Sequence, residues 1–166
     1  MLRSAFYQGK IMRYGYYQSP LGLLLLAWEE GGLCGLWMNR EAPEEAVALP
    51  EEAAQWLDDY FRGQPREISF PLKPAGTAFQ KQVWQILLAI PYGQTRSYGE
   101  IAREMAARTG KETMSAQAVG QAVGKNPISI LIPCHRVVGS RGQLTGYAGG
   151  LDNKSWLLTH ETRKEI

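Results

Sequence analysis

The sequence predicts an α/β protein of the α+β kind in two parts. A small antiparallel sheet with one helix occupies residues 1–74, and a mostly helical domain occupies residues 75–166. Three observations carry this. The first forty residues alternate apolar and aromatic runs with turn residues, whereas apolar residues recur at helical spacing from Ala53 onward. Three prolines fall between Pro65 and Gly76, the stretch that reads as an extended linker. The charge also changes sign there: residues 1–73 hold 7 Lys and Arg against 10 Asp and Glu (net −3), and residues 74–166 hold 11 against 6 (net +5).

Each element has its own signal. Residues 12–17 are aromatic-rich, Ser19-Pro20 interrupts them, and the apolar run Leu21 to Trp28 follows. Glu29-Glu30-Gly31-Gly32 turns the chain into a third strand from Leu33 to Met38, which completes a meander. Ala53, Trp56, Leu57, Tyr60 and Phe61 share one helical face, closed near Gly63. In the second part, Thr77 with Gln80 and Ser97 with Glu100 read as capping boxes, which open helices ending before Pro91 and near Gly110. A third helix starts at Ser115 and ends near Gly124, and a last one runs roughly from Asn153 to Thr162.

Composition narrows the function classes. With 45% hydrophobic and 20% charged residues in a chain of 166, a disordered tail, a coiled-coil rod and a low-complexity scaffold are excluded. The longest apolar run is far shorter than a membrane span, and the first residues lack a secretory signal, so a cytoplasmic protein with no membrane partner is expected. Two cysteines and two histidines supply neither a disulfide framework nor a zinc site. The basic second part suits an anionic partner such as DNA, with unpatterned surface charge as the competing reading.

The third helix has an unusual composition. Ala116-Gln117-Ala118-Val119-Gly120-Gln121-Ala122-Val123-Gly124 is thin and uncharged. A glycine inside a helix costs about 1 kcal/mol relative to alanine, so slimness there has a use. Following the helix from Ser97, it resembles the second member of a helix-turn-helix. Close approach to DNA and tight packing between helices are both open from spacing alone.

Cys134 follows Ile128–Pro133 and precedes His135 and Arg136. A cation nearby lowers a thiol's pKa, and a histidine base needs a partner to orient it. By itself a Cys-His dipeptide is weak evidence, because neighbours on a strand point to opposite faces, and a buried structural cysteine competes. Cys34, among apolar neighbours in a predicted strand, reads as structural.

The run from Asn126 to Val138, with Pro133-Cys134-His135-Arg136 at its heart, resembles the active-site signature of methylated-DNA–protein-cysteine methyltransferases. These O6-alkylguanine-DNA alkyltransferases take an alkyl group from DNA onto their own cysteine. Further matches are Pro91-Tyr92-Gly93, Ser97-Tyr98, Ala118-Val119-Gly120, Gly146 to Gly150, and Trp156 to Glu161. The likeness spans the second part and, more loosely, the first. It implies a ribonuclease H-like first domain and a winged-helix or helix-turn-helix-like second domain that carries the active site.

The resemblance implies roles residue by residue. Cys134 is the nucleophile, His135 its base acting through a water, and Glu161 the carboxylate that orients the histidine. Asn126 matches a hinge asparagine. Tyr98 matches a tyrosine that helps rotate the nucleotide out and protonates the departing guanine. Tyr147, Ala148 and Gly149 match the loop that closes over the base, and the carbonyls near Cys134 and Val137 would accept from the guanine amino group. Gln80, Gly99 and Ser140 fall where the family contacts DNA. Where many relatives carry an arginine that fills the vacated stack, this chain has Gln117. His160 has no role in the pattern. An N-terminal zinc site, present in some relatives, is excluded by a first part holding Cys34 and no histidine.

The implied reaction is a single-turnover, cofactor-free repair of double-stranded DNA containing O6-methylguanine by a monomer. The base has to be flipped from the duplex before a thiolate can reach it. Two rivals come from non-catalytic classes. An alkylated-DNA sensor of this kind lacks the cysteine, and a helix-turn-helix regulator needs base-reading side chains that Ala116–Gly124 does not supply. A Cys-His hydrolase would need an oxyanion hole.

Overall fold

The structure, a computed structural model, describes residues 6–7 and 10–163. It divides into two compact units, Met1–Ala75 and Gly76–Ile166.

In the first unit, two short strands, β1 (Phe6–Tyr7) and β2 (Lys10–Ile11), pair antiparallel ahead of the meander. The meander is β3 (Arg13–Ser19), β4 (Gly22–Glu29) and β5 (Gly32–Met38), antiparallel in that order. Ser19 makes the first turn tight: its hydroxyl accepts from the Leu21 N–H and donates to the Gly22 carbonyl. Leu24 to Ala27 are all buried, so the central strand is covered on both faces. Helix α1 (Glu51–Phe61) follows, with Leu57 and Tyr60 buried. Each such side chain contributes roughly 1.5–3 kcal/mol. The Tyr17 hydroxyl donates to Asp58 at 2.6 Å, and its ring stacks on Phe61. Gly15 allows the chain near Val47 to run close by, where Val47 N–H donates to the Tyr14 carbonyl; a Cβ would stand 2.7 Å from the Val47 oxygen.

The stretch Pro65–Gly76 is more than a linker. Leu72 forms a parallel bridge to Leu33, through Leu33 N–H to Pro71 O and Lys73 N–H to Leu33 O. The open edge of β5 needs partners, and an extended, proline-rich segment supplies them.

The second unit begins with α2 (Ala78–Leu88), whose capping box is complete on both sides between Thr77 and Gln80. The box expected at Ser97 is half made. The Ser97 hydroxyl accepts from Glu100 N–H, but the Glu100 carboxylate meets that hydroxyl and Arg96, not the cap's backbone. The arginine's charge outbids the backbone N–H. A short strand β6 (Arg96–Ser97) runs into α3 (Tyr98–Thr109), which ends at Gly110 in the left-handed conformation. Helix α4 (Ala116–Gly124) is capped by Ser115 and packs against α2 and α3 through Val119, Ala122 and Val123. The Trp84 indole donates to Ala122 O at 2.9 Å, which pins α4 to α2.

The apolar run after Asn126 forms tight turns, with Ile132 N–H donating to Ile128 O and Cys134 N–H to Ile132 O. Cys134–Arg136 is one turn of 3-10 helix, leading into β7 (Val137–Val138), which pairs parallel with β6. The last helix, α5 (Leu151–Thr162), starts two residues earlier than the sequence suggests and buries Lys154, Leu157 and Glu161 on one face.

Candidate active site

The 3-10 turn places Cys134 and His135 differently from a strand. Successive residues are about a third of a turn apart, so neighbours in sequence can serve one site. Cys134 lines a cavity of about 130 Å³ with Tyr98, Gly120, Val123, Gly124, Asn126, Gly146, Tyr147 and Ala148. The residue is 6% exposed. Burial pushes the thiol's pKa up, against the pull of the Asn126 side chain and the Lys154 ammonium. The resting group is therefore a thiol, and the neighbouring cations do not make it a thiolate unaided.

Behind the cavity lies a buried chain of charge. His135 is fully buried, and its Nε2 lies 2.6 Å from Glu161 Oε2. Arg136 grips the same carboxylate with two arms, Nε to Oε1 at 2.7 Å and Nη2 to Oε2 at 3.1 Å. Its third nitrogen donates to Ile90 O at 2.7 Å, and the guanidinium lies over the Tyr92 ring. Gly93 N–H adds a donor to Glu161 Oε1; with φ +80° at Gly93, the turn passes close beneath the end of α5. Burial opposes the charge on Glu161, yet the hydrogen bond from His135 and the hydrogen bonds and charge of Arg136 outweigh it and hold the carboxyl's pKa at about 2. Burial also lowers the His135 pKa, against Glu161, so the imidazole is neutral near pH 7. Its Nδ1 is buried without a hydrogen-bond partner among the described residues. A neutral ring fixed at one nitrogen by a carboxylate and open at the other is the arrangement of a general base.

Asn126 shapes the segment that carries the cysteine. Its Nδ2 donates to Ile132 O at 2.8 Å, and its Oδ1 accepts from Ile128 N–H at 3.0 Å. Between those two anchors Ile130 sits at φ +72°, a left-handed conformation unfavourable to a β-branched residue. Such strain costs about 1–3 kcal/mol and persists where surroundings over-determine it; the asparagine clamp does that here.

Tyr98 and Tyr147 face Cys134 from opposite sides of the sequence. The Tyr98 hydroxyl donates to Thr145 O at 3.0 Å, and burial raises its pKa, which keeps the phenol protonated. Tyr147 is raised further, again chiefly by burial. The carbonyl of Val137 already accepts from Lys154 Nζ at 2.6 Å, leaving its other lone pair. Ala148 lines the cavity, and Gly149 adjoins it, accepting from Asn153. Gln117 lies exposed in the first turn of α4, and Gly99 in the first turn of α3. Ser140 is exposed, and the Gln80 side chain is occupied by its capping box. None of these four lines the cavity. His160 stacks on Trp156 at 4.9 Å.

Two residues at the site escaped the sequence reading. The sequence marks Arg136 only as a charge near the thiol, whereas its forked contact organises Glu161. Lys154 is 0% exposed and ties Val137 O, Thr145 O and Gly146 O together beside the cysteine. Its signal was available: Lys154, Leu157 and Glu161 share the i, i+3, i+7 face of one helix, and charged residues on a buried face need partners.

The charge chain predicts how stability follows pH. The folded Glu161 carboxyl titrates below its unfolded value, so its contribution, roughly 3 kcal/mol, is present above about pH 4.5 and lost as pH falls towards about 2. His135, neutral when buried, adds a loss of stability as pH falls below about 6.5, where the unfolded chain takes up a proton and the folded one resists. Melting temperatures should fall in two steps on acidification, and Glu161→Gln should remove the lower one. A single step in the parent chain would contradict this.

Known proteins share this architecture. Residues 12–74 match the family model described as the ribonuclease-like domain of 6-O-methylguanine DNA methyltransferase, and residues 78–163 match its DNA-binding domain. The methylated-DNA–protein-cysteine methyltransferase of Mycobacterium leprae is 47% identical over 155 residues, covering 89% of this chain and 91% of that one. The protein of the same name from Methanosarcina acetivorans is 42% identical over 160 residues, covering 90% and 98%. Among solved structures, the Mycobacterium tuberculosis OGT in complex with DNA superposes with a TM-score of 0.79 at 43% identity, covering 90% of this chain and 92% of that one.

Proposed function

Because this chain belongs to the 6-O-methylguanine DNA methyltransferase family, we infer that it repairs alkylated DNA by moving the alkyl group from guanine O6 to Cys134. The observation that carries the choice of acceptor is the cysteine at the wall of a small cavity with the His135–Glu161–Arg136 chain behind it.

The chemistry follows from the protonation states. A buried thiol with a raised pKa is a weak nucleophile until its proton leaves. His135 Nδ1 takes that proton through a water, and the imidazolium so formed is stabilised by a carboxylate already ionised. The sulfur attacks the alkyl carbon in line, the carbon–oxygen bond breaks, and its electrons stay on the purine. Tyr98 protonates the departing base, after exchanging its bond to the Thr145 carbonyl for one to guanine, and the proton held on the imidazolium returns to the Tyr98 phenolate through water. The net exchange is alkyl for proton at sulfur and proton for alkyl at the purine. The thioether has no leaving path, so one chain serves once.

Reaching the alkyl carbon requires a flipped base, held by Tyr147, Ala148 and Gly149 on one side and by the carbonyls of Cys134 and Val137 on its amino edge. Gln117, Gly99, Ser140 and Gln80 are assigned to the duplex outside the cavity. The partner is double-stranded DNA bearing O6-methylguanine, met by a monomer in the cytoplasm; no helix among the described residues is long and apolar enough to cross a membrane.

The deciding experiment mixes the protein with excess duplex carrying one O6-methylguanine and reads intact and peptide masses. One added methylene on Cys134, saturating at one equivalent, supports the assignment; lesion binding with no mass change refutes it. A second prediction concerns Gln117. Without a guanidinium to stack in the vacated space, base extrusion is slowed, so Gln117→Arg should raise single-turnover rate and DNA affinity by about two- to fivefold, within the range of an exposed cation–π contact. Unchanged values would remove glutamine from any role in extrusion.

A further inference from the structure

The first unit holds a cavity that the reaction at Cys134 does not use. Its volume of about 410 Å³ exceeds the 130 Å³ beside the cysteine and falls within the ~300–1,000 Å³ typical of small-molecule sites. Three stretches of chain wall it: the end of β4 with its turn into β5, the start of α1, and residues 70–71. A glycine lets the last of these come close. Gly32 sits at φ +149°, and a Cβ there would stand 2.5 Å from Pro71 O, the oxygen that accepts from Leu33 N–H at 2.9 Å. The proline-rich segment is thereby held against β5, and Phe70 becomes a wall of the cavity.

The walls divide by chemistry. Trp28, Leu33, Pro50, Ala53 and Phe70 are apolar, and the two aromatic rings among them attract cations. The charged members are all carboxylates: Glu29 and Glu30 where β4 turns, and Glu51 and Glu52 in the first turn of α1. Among the described residues no lysine or arginine lines the cavity. Glu29 is buried and engaged. Its Oε1 accepts from Gly31 N–H, and the Lys73 ammonium stands beside it, since a Cβ on Gly31 would lie within 3.0 Å of both. Glu30, Glu51 and Glu52 are exposed. A carboxylate at a helix N-terminus has a use of its own, but Glu30 is on no helix. A general pull on cations is no explanation either, because the whole chain carries a net charge of +2.

Acidic side chains on two separate elements therefore share one apolar, aromatic space. A ligand with a single charge would meet only one of the two groups. One with ammonium groups at its ends and methylenes between them meets both, and covers the apolar walls as well. We propose that this cavity is a binding site for a linear aliphatic polyamine, with one ammonium held at Glu30, another at Glu51 and Glu52, and the methylenes packed on Trp28, Leu33 and Phe70. The site is independent of the alkyl-transfer reading, since every wall belongs to the first unit and Cys134 to the second.

Titration calorimetry of the full chain with spermidine tests this, with 1,3-diaminopropane, 1,4-diaminobutane and 1,5-diaminopentane as a length series. One spermidine should bind per chain with a dissociation constant below about 1 mM. Each methylene added to the diamine should tighten binding by up to about fourfold, the effect of burying one such group. The double substitution Glu51→Gln and Glu52→Gln should weaken spermidine binding about tenfold, and Glu30→Gln about threefold. Far-ultraviolet dichroism reads the fold of each variant; should the double variant depart from the parent, Glu30→Gln, which lies off the helix, decides the outcome. No saturable heat up to about 10 mM spermidine overturns the proposal. So does equal heat from magnesium chloride at matched ionic strength, or an affinity unchanged in the glutamine variants, either of which reduces binding to counterion screening. Tri-lysine binding more tightly than spermidine, with the same dependence on Glu51 and Glu52, also overturns it and gives the groove to a basic segment of a partner protein.

Discussion

Cys134→Ala should transfer no alkyl group at all, with the mass gain falling below detection, while lesion binding stays within a few fold of the parent. The cavity is lined by eight other residues, from α3, α4, Asn126 and the loop that bears Tyr147, so deleting one sulfur leaves most of the recognition surface standing. Among the described residues, the other amine near the cavity and the other thiol are both accounted for. Lys154 Nζ is committed to three carbonyls, and Cys34 belongs to the other unit, buried in a cluster with Met12 and Ala27. Cys34→Ala therefore serves as the control and should react as the parent does. Methyl transfer persisting in Cys134→Ala would assign the acceptor to another side chain and undo the mechanism. Equal loss of lesion binding would instead mean that the sulfur is a structural filler.

Arg136→Met should be the most destabilising substitution in the second unit. Methionine keeps much of the packing against Tyr92 but deletes both arms that hold Glu161 and the donor to Ile90 O. Breaking a buried ion pair from one side costs about 3–5 kcal/mol, because a carboxylate with a 1% exposed side chain is left short of partners. For a unit of this size the melting temperature should drop by roughly 15 °C or more. The carboxyl's pKa should also rise, which weakens its hold on the imidazolium and slows transfer beyond what lower stability explains. Arg136→Lys keeps the charge without the fork and should recover only part of either loss. Differential scanning measurements across pH, with single-turnover rates taken well below each variant's midpoint, separate the two effects. A shift under about 3 °C would mean the fork is replaceable by solvent, contrary to the burial observed.

The open question of the thin helix is also answered in part by geometry. Spacing along Ala116–Gly124 leaves packing and close approach to DNA equally open. Val119 and Ala122 do the packing, Val123 is buried and also lines the cavity, and Gly120 and Gly124 line the cavity. Composition alone cannot separate these, since the same small residues serve both purposes and only the neighbours on each face tell them apart.

Much of this protein was written in local chemistry. Turn residues between apolar and aromatic runs placed the meander, and Thr77, Ser97 and Ser115 placed the starts of α2, α3 and α4 within a residue, because caps act on their own helix and need no distant partner. The resemblance around Cys134 identified the family for a similar reason: its motif is contiguous. What local pattern could not supply depends on contacts far apart in the chain. Arg136 meets Ile90 and Glu161 across 46 and 25 residues, and Lys154 meets Val137 across 17. Burial then decided the chemistry. It raised the thiol, lowered the imidazole and left Glu161 charged only because two cationic or donor groups converge on it. Desolvation depends on everything packed around a group, so the order of residues named the reactive groups and the tertiary structure set their protonation.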